Sequence, residues 1–247
     1  MPIRFQVRQQ QPELMDDPGL DQQTHRHALD GLRRINWLSQ TDTAIWTAIS
    51  FVLSKRVHGR TISVLDVASG GGDLAIGLAR RFQQAGIPAH IQGCDISPTA
   101  IEYAEEKARA ANVSSVEFLC CNALEDAFPF ESYDIVMSSL FLHHLSQSDA
   151  VRLLSRMKAV TRQLLLVDDL RRTGIGYWLA WLGCRILTRC HVVHYDGPVS
   201  VAGAFTSSEA VSMALSAGLS TASVTNHWPQ RFLLSWHPDS AAIGEED

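Results

Sequence analysis

The chain has 247 residues, 46% of them hydrophobic, which is enough for one sizeable core and does not require a second domain. Only 19% are charged and the formal net charge is -5, so the basic surplus that marks a nucleic-acid binder is missing. The five cysteines are odd in number and include no C-x-x-C spacing, which argues against a disulfide framework or a structural zinc site and leads us to expect a reduced, cytoplasmic protein with no metal.

The first residues hold no apolar stretch of secretory type, and no run approaches the roughly 18 uninterrupted apolar residues of a membrane span. Neither a signal peptide nor a transmembrane helix is therefore expected. Residues 1–20 are rich in Gln, Asp and Pro and read as a partly ordered segment ahead of one domain over 21–240. From 21 to 54 the spacing is helical, with Leu29, Leu32 and Ile35 in a first helix. Thr41 or Asp42 can cap a second helix that carries Ile45, Trp46, Ile49 and Leu53.

The register then changes. Residues 62–67 form a short apolar, β-branched run that ends in Ser69-Gly70-Gly71-Gly72, a buried strand followed by a tight turn. Residues 73–85 return to helical spacing and 90–96 read as the next strand. Ser97 as cap and Pro98 as first residue open a helix that runs to 111. Strands are predicted at 116–120, 133–138 and 163–168, with a helix at 148–160 between the last two. This alternation predicts an α/β fold with a parallel sheet and helices on both faces. Near the end, a helix over 208–217 is followed by strand-like runs at 221–225 and 232–236.

Residues 171–205 break the alternation. An apolar helix with Trp178 and Trp181 leads into a Gly/His/Pro-rich stretch that reads as a long loop. We expect a lid-like insertion over a binding pocket, with contact to a membrane surface as a second use.

The glycine turn opens the carboxyl edge of the sheet, where open α/β folds bind ligands. A dinucleotide loop would look similar, but Asp66 and Asp73 bracket this one. Two carboxylates would repel a pyrophosphate, whereas they suit a ligand with an amino group and a sulfonium, such as S-adenosylmethionine (SAM). Asp95, at the end of the next strand, can accept both ribose hydroxyls. Asn122-Ala123 follows the third strand, where a side-chain oxygen could bond the adenine amine. The run Asp134-Ile135-Val136-Met137-Ser138 ends the fourth strand beside the glycine loop.

In their order, these motifs resemble those of the class I SAM-dependent methyltransferases. Asp66-x-Ala68-Ser69-Gly70-Gly71-Gly72-Asp73 is similar to the family's first motif, Asp95-Ile96-Ser97-Pro98 to its second, and Asn122 stands where Asp is usual. The likeness covers about 61–170, and its Leu-Asp-Val-Ala wording is closest to small-molecule and quinone-biosynthesis enzymes. It implies a Rossmann-like, seven-stranded, mostly parallel sheet in order 3-2-1-4-5-7-6 behind an N-terminal helical extension. It also implies that SAM is held by Asp66, Ala68, Ser69, Gly70, Gly72, Asp95, Ile96, Asn122, Ala123 and Ser138. The implied reaction is methylation of a small, largely apolar acceptor, read here as a hydroxyl on an aromatic or polyketide-type scaffold. C- or N-methylation of a quinone-type acceptor is the alternative on the same fold, and an NAD-dependent oxidoreductase is the alternative from another class. His143, after the fourth strand, and His194, in the lid-like stretch, are the candidate catalytic bases. Asp168 and Asp169 could either line the pocket or cap the following segment.

Overall fold

The computed structural model describes residues 5–17, 19–54 and 60–238. A first helix, α1 (Gln22–Ser39), starts at Asp21, whose carboxylate accepts the Thr24 N–H. It turns at Gln40, in the left-handed region, directly into α2 (Thr41–Leu53). The alternating part follows as β1 (Ile62–Val67), α3 (Asp73–Gln84), β2 (Ala89–Asp95), α4 (Pro98–Ala110), β3 (Val116–Cys120), β4 (Tyr133–Ser139), α5 (Gln147–Ala159) and β5 (Thr161–Leu170). Helices α6 (Gly174–Leu187), α7 (His191–Gly203) and α8 (Ser207–Ser216) come next, followed by β6 (Ser223–His227) and β7 (Arg231–Trp236).

All seven strands join one sheet in the order β3-β2-β1-β4-β5-β7-β6, with β7 antiparallel to both of its neighbours. The order is the one that the resemblance implied, and the sheet is mostly parallel as expected. The parallel strands follow from the alternation, since strands buried on both faces read as continuous apolar runs. The apolar sides of α5 and α8 cover one face, and those of α2, α3 and α4 cover the other. Ser97 caps α4 ahead of Pro98 as expected, and Thr206 with Glu209 forms a capping box on α8.

The structure changes one expectation. Residues 191–203 form the helix α7 and not a loop, with Pro198 inside it. A β-carbon on Gly197 would stand 2.3 Å from the Cys184 sulfur, so this glycine allows α7 to lie close against α6. A packing reason, not a turn, explains this glycine. The expectation of partial order in the N-terminal segment falls outside the described residues at 1–4 and 18. Its described part crosses α7, where the Gln9 N–H donates to the Ala202 carbonyl and the Leu14 and Met15 N–H groups donate to the Asp196 carboxylate.

Candidate active site

The carboxyl ends of β1, β2 and β4 open into a cavity of about 1030 Å³ with mostly apolar walls. One end is the glycine turn. Ala68, Gly70 and Gly72 all have positive φ, at 58°, 51° and 71°. Such backbone strains a residue with a β-carbon, so Ala68 marks stored strain where β1 delivers the chain to the loop. Two of the glycines have different reasons. A β-carbon on Gly70 would meet nothing within 4 Å, because it would point into the cavity. A β-carbon on Gly72 would stand 2.5 Å from the Phe118 ring, so Gly72 serves helix packing and does not line the cavity.

Asp66 and Asp95 face this loop. The Asp95 oxygens accept the Gly70 and Ser97 N–H groups, at 2.8 and 2.9 Å. Each oxygen keeps a second acceptor position, so the side chain both fixes the loop and can still bond vicinal hydroxyls. Burial, partly offset by these N–H bonds, raises the Asp95 pKa. Asp66 is fully enclosed; burial first and the Asp95 charge second push its carboxyl up to about 8. Its Oδ2 and the Ser69 hydroxyl are buried without a hydrogen-bond partner. Buried polar atoms are rarely left so, and a cationic group donating N–H bonds would satisfy both. Asp73 lies on the cavity wall as well, but its carboxylate is taken by Lys107, which also holds the Gly71 carbonyl at 3.1 Å. The anionic character at the loop therefore rests on Asp66 and Asp95.

Ile96, Asn122 and Ala123 line the same end of the cavity. The Asn122 amide oxygen accepts the Leu124 N–H at 3.0 Å, which leaves one acceptor position on that oxygen. Ser138 departs from expectation. It is buried in the sheet, its hydroxyl donates to the Val67 carbonyl at 2.9 Å, and Ser139 lines the cavity in its place. Alternation along β4 explains this, since adjacent side chains point to opposite faces.

The two candidate bases separate clearly. His194 has its Nε2 2.8 Å from the Thr188 carbonyl and does not line the cavity; it ties the α6–α7 connection together. His143 lines the cavity, and the buried Asp169 holds it twice. One Asp169 oxygen lies 2.6 Å from His143 Nδ1 and the other accepts the His143 backbone N–H at 3.0 Å. Burial alone would raise the Asp169 pKa, but the charge and hydrogen bonds of His143 outweigh it and lower that pKa. Sequence reasoning left Asp169 undecided between lining the pocket and capping. The structure makes it the partner that fixes the His143 ring, leaving Nε2 facing Glu13 at 3.6 Å. Asp168, its neighbour, instead pairs with His227 and Arg231.

His144 pairs with Asp16 at 2.8 Å. Burial disfavours its charge, but the Asp16 hydrogen bond and the Glu13 and Asp169 carboxylates prevail and raise its pKa to about 9. Sequence patterning could not have found Glu13 and Asp16, because they reach the site from the far end of the chain. Glu13, His143 and His144 offer ligand atoms all within 4.8 Å of one another, close enough to hold a metal ion. The expectation of no metal gains no support from this cluster.

From the loop, the cavity extends beneath α1, α6 and α7, with Leu29, Leu32, Leu179, Leu182 and Val201 in its walls. Of the stretch 171–205 expected as a lid, Leu179 and Leu182 of α6 and Val201 of α7 line the cavity. Trp178 and Trp181 are not part of the lining.

Comparison with known proteins agrees with this geometry. Residues 64–163 match the family model described as a methyltransferase domain. A demethylmenaquinone methyltransferase of Listeria welshimeri is 31% identical over 109 residues, 43% of this chain and 44% of that protein. The chain thus matches less than half the length of this relative. Among solved structures, a SAM-dependent methyltransferase from Aquifex aeolicus superposes with a TM-score of 0.62 at 16% identity, covering 88% of this chain and 98% of that one. An O-methyltransferase family 2 protein from Planctomyces limnophilus, in complex with apigenin, gives 0.65 at 16% identity, covering 90% and 63%. Residues 64–163 are thus similar to a methyltransferase domain, and the sheet has the Rossmann-like order of the solved methyltransferases it superposes on.

Proposed function

We propose that this chain is a SAM-dependent methyltransferase that methylates a hydroxyl of a small, largely apolar acceptor on an aromatic or polyketide-type scaffold. The observation that carries this reading is one cavity with two different ends. One end is a glycine cradle with an unpartnered Asp66 oxygen, and the other is an apolar chamber bordered by the His143–Asp169 pair.

The residues present fit SAM. Asp66 and Ser69 would take its ammonium group, the open face of Gly70 its backbone approach, Asp95 its ribose hydroxyls, and Ile96, Asn122 and Ala123 its adenine. When bound, SAM supplies a methyl group on a positively charged sulfur, already activated for displacement. The protein's remaining tasks are to hold the acceptor oxygen in line, exclude water and take the hydroxyl proton. Helices α1, α6 and α7 enclose the acceptor in apolar side chains. In this reading His143 would receive the proton on Nε2, which also faces Glu13 at 3.6 Å, with Asp169 stabilising the resulting imidazolium. Arg8 adds rigidity from below, donating to the His143 carbonyl at 2.7 Å.

The name of the Listeria relative favours a second reading, C-methylation of a quinone-type ring. A hydride-transfer enzyme fits less well, because a pyrophosphate would have to lie beside the buried Asp66 and Asp95. Calorimetry tests the cofactor assignment. SAM binds to the wild type, NADH does not, and Asp95→Ala weakens SAM by about 1.5–3 kcal/mol, the range for a charged hydrogen bond. NADH binding with no SAM binding would overturn the reading.

A further inference from the structure

Helix α6 is amphipathic in the wrong sense for a soluble surface. Ile175, Trp178, Leu179, Leu182 and Ile186 recur at three- and four-residue spacing and are all exposed, Trp178 at 64% and Ile186 at 71%. Its opposite side packs on α1 and α7. The end of α1 continues the exposed surface with Trp37, exposed to 80%, and Leu38. Leu38, Leu179, Leu182, Ile186 and Trp228 also line the cavity, so this apolar surface is the collar of its mouth. An exposed apolar collar of this kind marks a place where something else binds.

Charge indicates what binds there. Between Asp169 and Asp196 the chain has no acidic residue, although its net charge is -5. Arg185 and Arg189 stand exposed at the end of α6, and Arg33 and Arg34 are exposed on α1. The Arg34 guanidinium reaches the Leu187 carbonyl at 3.5 Å, joining the two helices. Arg185 lies over the Trp181 ring, 4.3 Å from its centroid. Arg33 is paired with Asp30 at 3.6 Å, but Arg185 and Arg189 lie in the stretch without acids. Aromatic and aliphatic side chains beside such arginines match a bilayer interface, where rings sit at headgroup depth and arginines meet anionic phosphates. A second copy of this chain would present the same positive charge to itself, which disfavours a symmetric dimer through this face.

We propose that α6 and the end of α1 dock on an anionic membrane surface, so that the cavity mouth opens toward the lipid and the acceptor is a membrane-dissolved molecule. The docking itself does not depend on the methyltransferase reading; only the source of the acceptor rests on it.

The test is co-sedimentation of the full chain with vesicles of phosphatidylcholine alone and with added phosphatidylglycerol, without SAM. We expect strong pelleting only with phosphatidylglycerol, weakened by salt, and a blue shift of tryptophan emission. Trp37→Ser with Trp178→Ser, and separately Arg185→Glu with Arg189→Glu, should each lower partitioning by on the order of tenfold. None of these four residues lines the cavity, so calorimetric SAM affinity should stay at the wild-type value. If the tryptophan pair fails to fold, the arginine pair carries the test. Absence of pelleting, or pelleting unaffected by the arginine pair, overturns the proposal. So does light scattering that shows a dimer dispersed by the tryptophan pair without vesicle binding. Failure of SAM binding with intact vesicle binding would instead overturn the proposed function alone.

Discussion

Replacing Asp169 by Asn probes the proposed proton transfer most sharply, because all three bonds of that side chain are known. One oxygen accepts from His143 Nδ1 and from the Leu170 N–H, both at 2.6 Å, and the other accepts from the His143 N–H at 3.0 Å. An amide fits the same volume but has only one accepting atom. If its NH2 group takes the first position, it donates to Nδ1, moves the ring proton to Nε2, and leaves the Leu170 N–H unpaired. If it takes the second, the His143 N–H is left unpaired and the ring keeps its tautomer but loses the charge beside it. Either arrangement costs about 1–3 kcal/mol of stability for a buried donor without a partner, a drop of several degrees in Tm. Either also removes a charge-assisted bond from the imidazolium, worth about 1.5–3 kcal/mol, or roughly 10–150-fold in kcat. Steady-state kinetics with SAM and a phenolic acceptor reads this directly. KM for SAM should stay near its wild-type value, because Asp169 does not line the cavity and bonds only His143 and the Leu170 N–H. The deficit should shrink at high pH as the acceptor, with a pKa near ~10, ionises without help. A merely structural role would give the Tm loss with no change in the pH profile. Wild-type kcat in this variant would refute the pairing, and so would an equal loss of SAM affinity. Dialysis against EDTA should leave the wild-type rate unchanged; a rate restored only by added metal would make Glu13, His143 and His144 a metal site instead.

Asp66, held up to about 8 by burial and by Asp95, must ionise to receive a cation, so SAM affinity should fall as pH drops below about 8. Calorimetry in buffers of different ionisation heat should show proton release on binding, and pH-independent affinity would contradict the assignment. Gly70→Val places a branched side chain in the cavity at a φ of 51°, so SAM binding should be lost while the melting temperature drops only modestly. Retained SAM affinity in that variant would put the cofactor elsewhere. His144, with its pKa raised from 6.5 to about 9, contributes stability that is fully present below about 6.5 and lost as pH rises through about 9. Thermal melts across that window should show the loss in the wild type but not in His144→Gln, and parallel curves would show that the Asp16 pair contributes nothing.

Local pattern set what could be read from the sequence. Strands β1 to β5 are apolar runs ended by Gly, Ser-Pro or polar residues, whereas their order came only through the family resemblance, since no helix separates β3 from β4. The glycine loop, Asp95 and the Asn122 turn were legible because each sits at the end of a strand. The two catalytic candidates were not equally readable. His143 inherits its place from the end of β4, whereas His194 had only proximity in sequence to apolar residues, and its ring proved to bond Thr188. Ser138 and Ser139 are adjacent on β4, and in a strand one position means the other face, so pattern alone does not choose which of them lines the cavity. The α7 helix was hidden by Gly197 and Pro198; the glycine is required by its closeness to Cys184, a partner that pattern cannot show. Glu13 and Asp16 reach His143 and His144 across some 130 residues of chain, a closeness that only tertiary packing creates.

The proposed methyl transfer to a hydroxyl beside His143 can be read from its products. The protein is incubated with SAM bearing a deuterated methyl group and a panel of apolar phenols and quinols, and products are read by mass spectrometry and NMR. A labelled methyl on oxygen is expected, formed by the wild type and at least about tenfold more slowly by His143→Gln. A label on ring carbon would move the reaction to the quinone-type alternative, and SAM binding with no label transferred to any acceptor would contradict the claim.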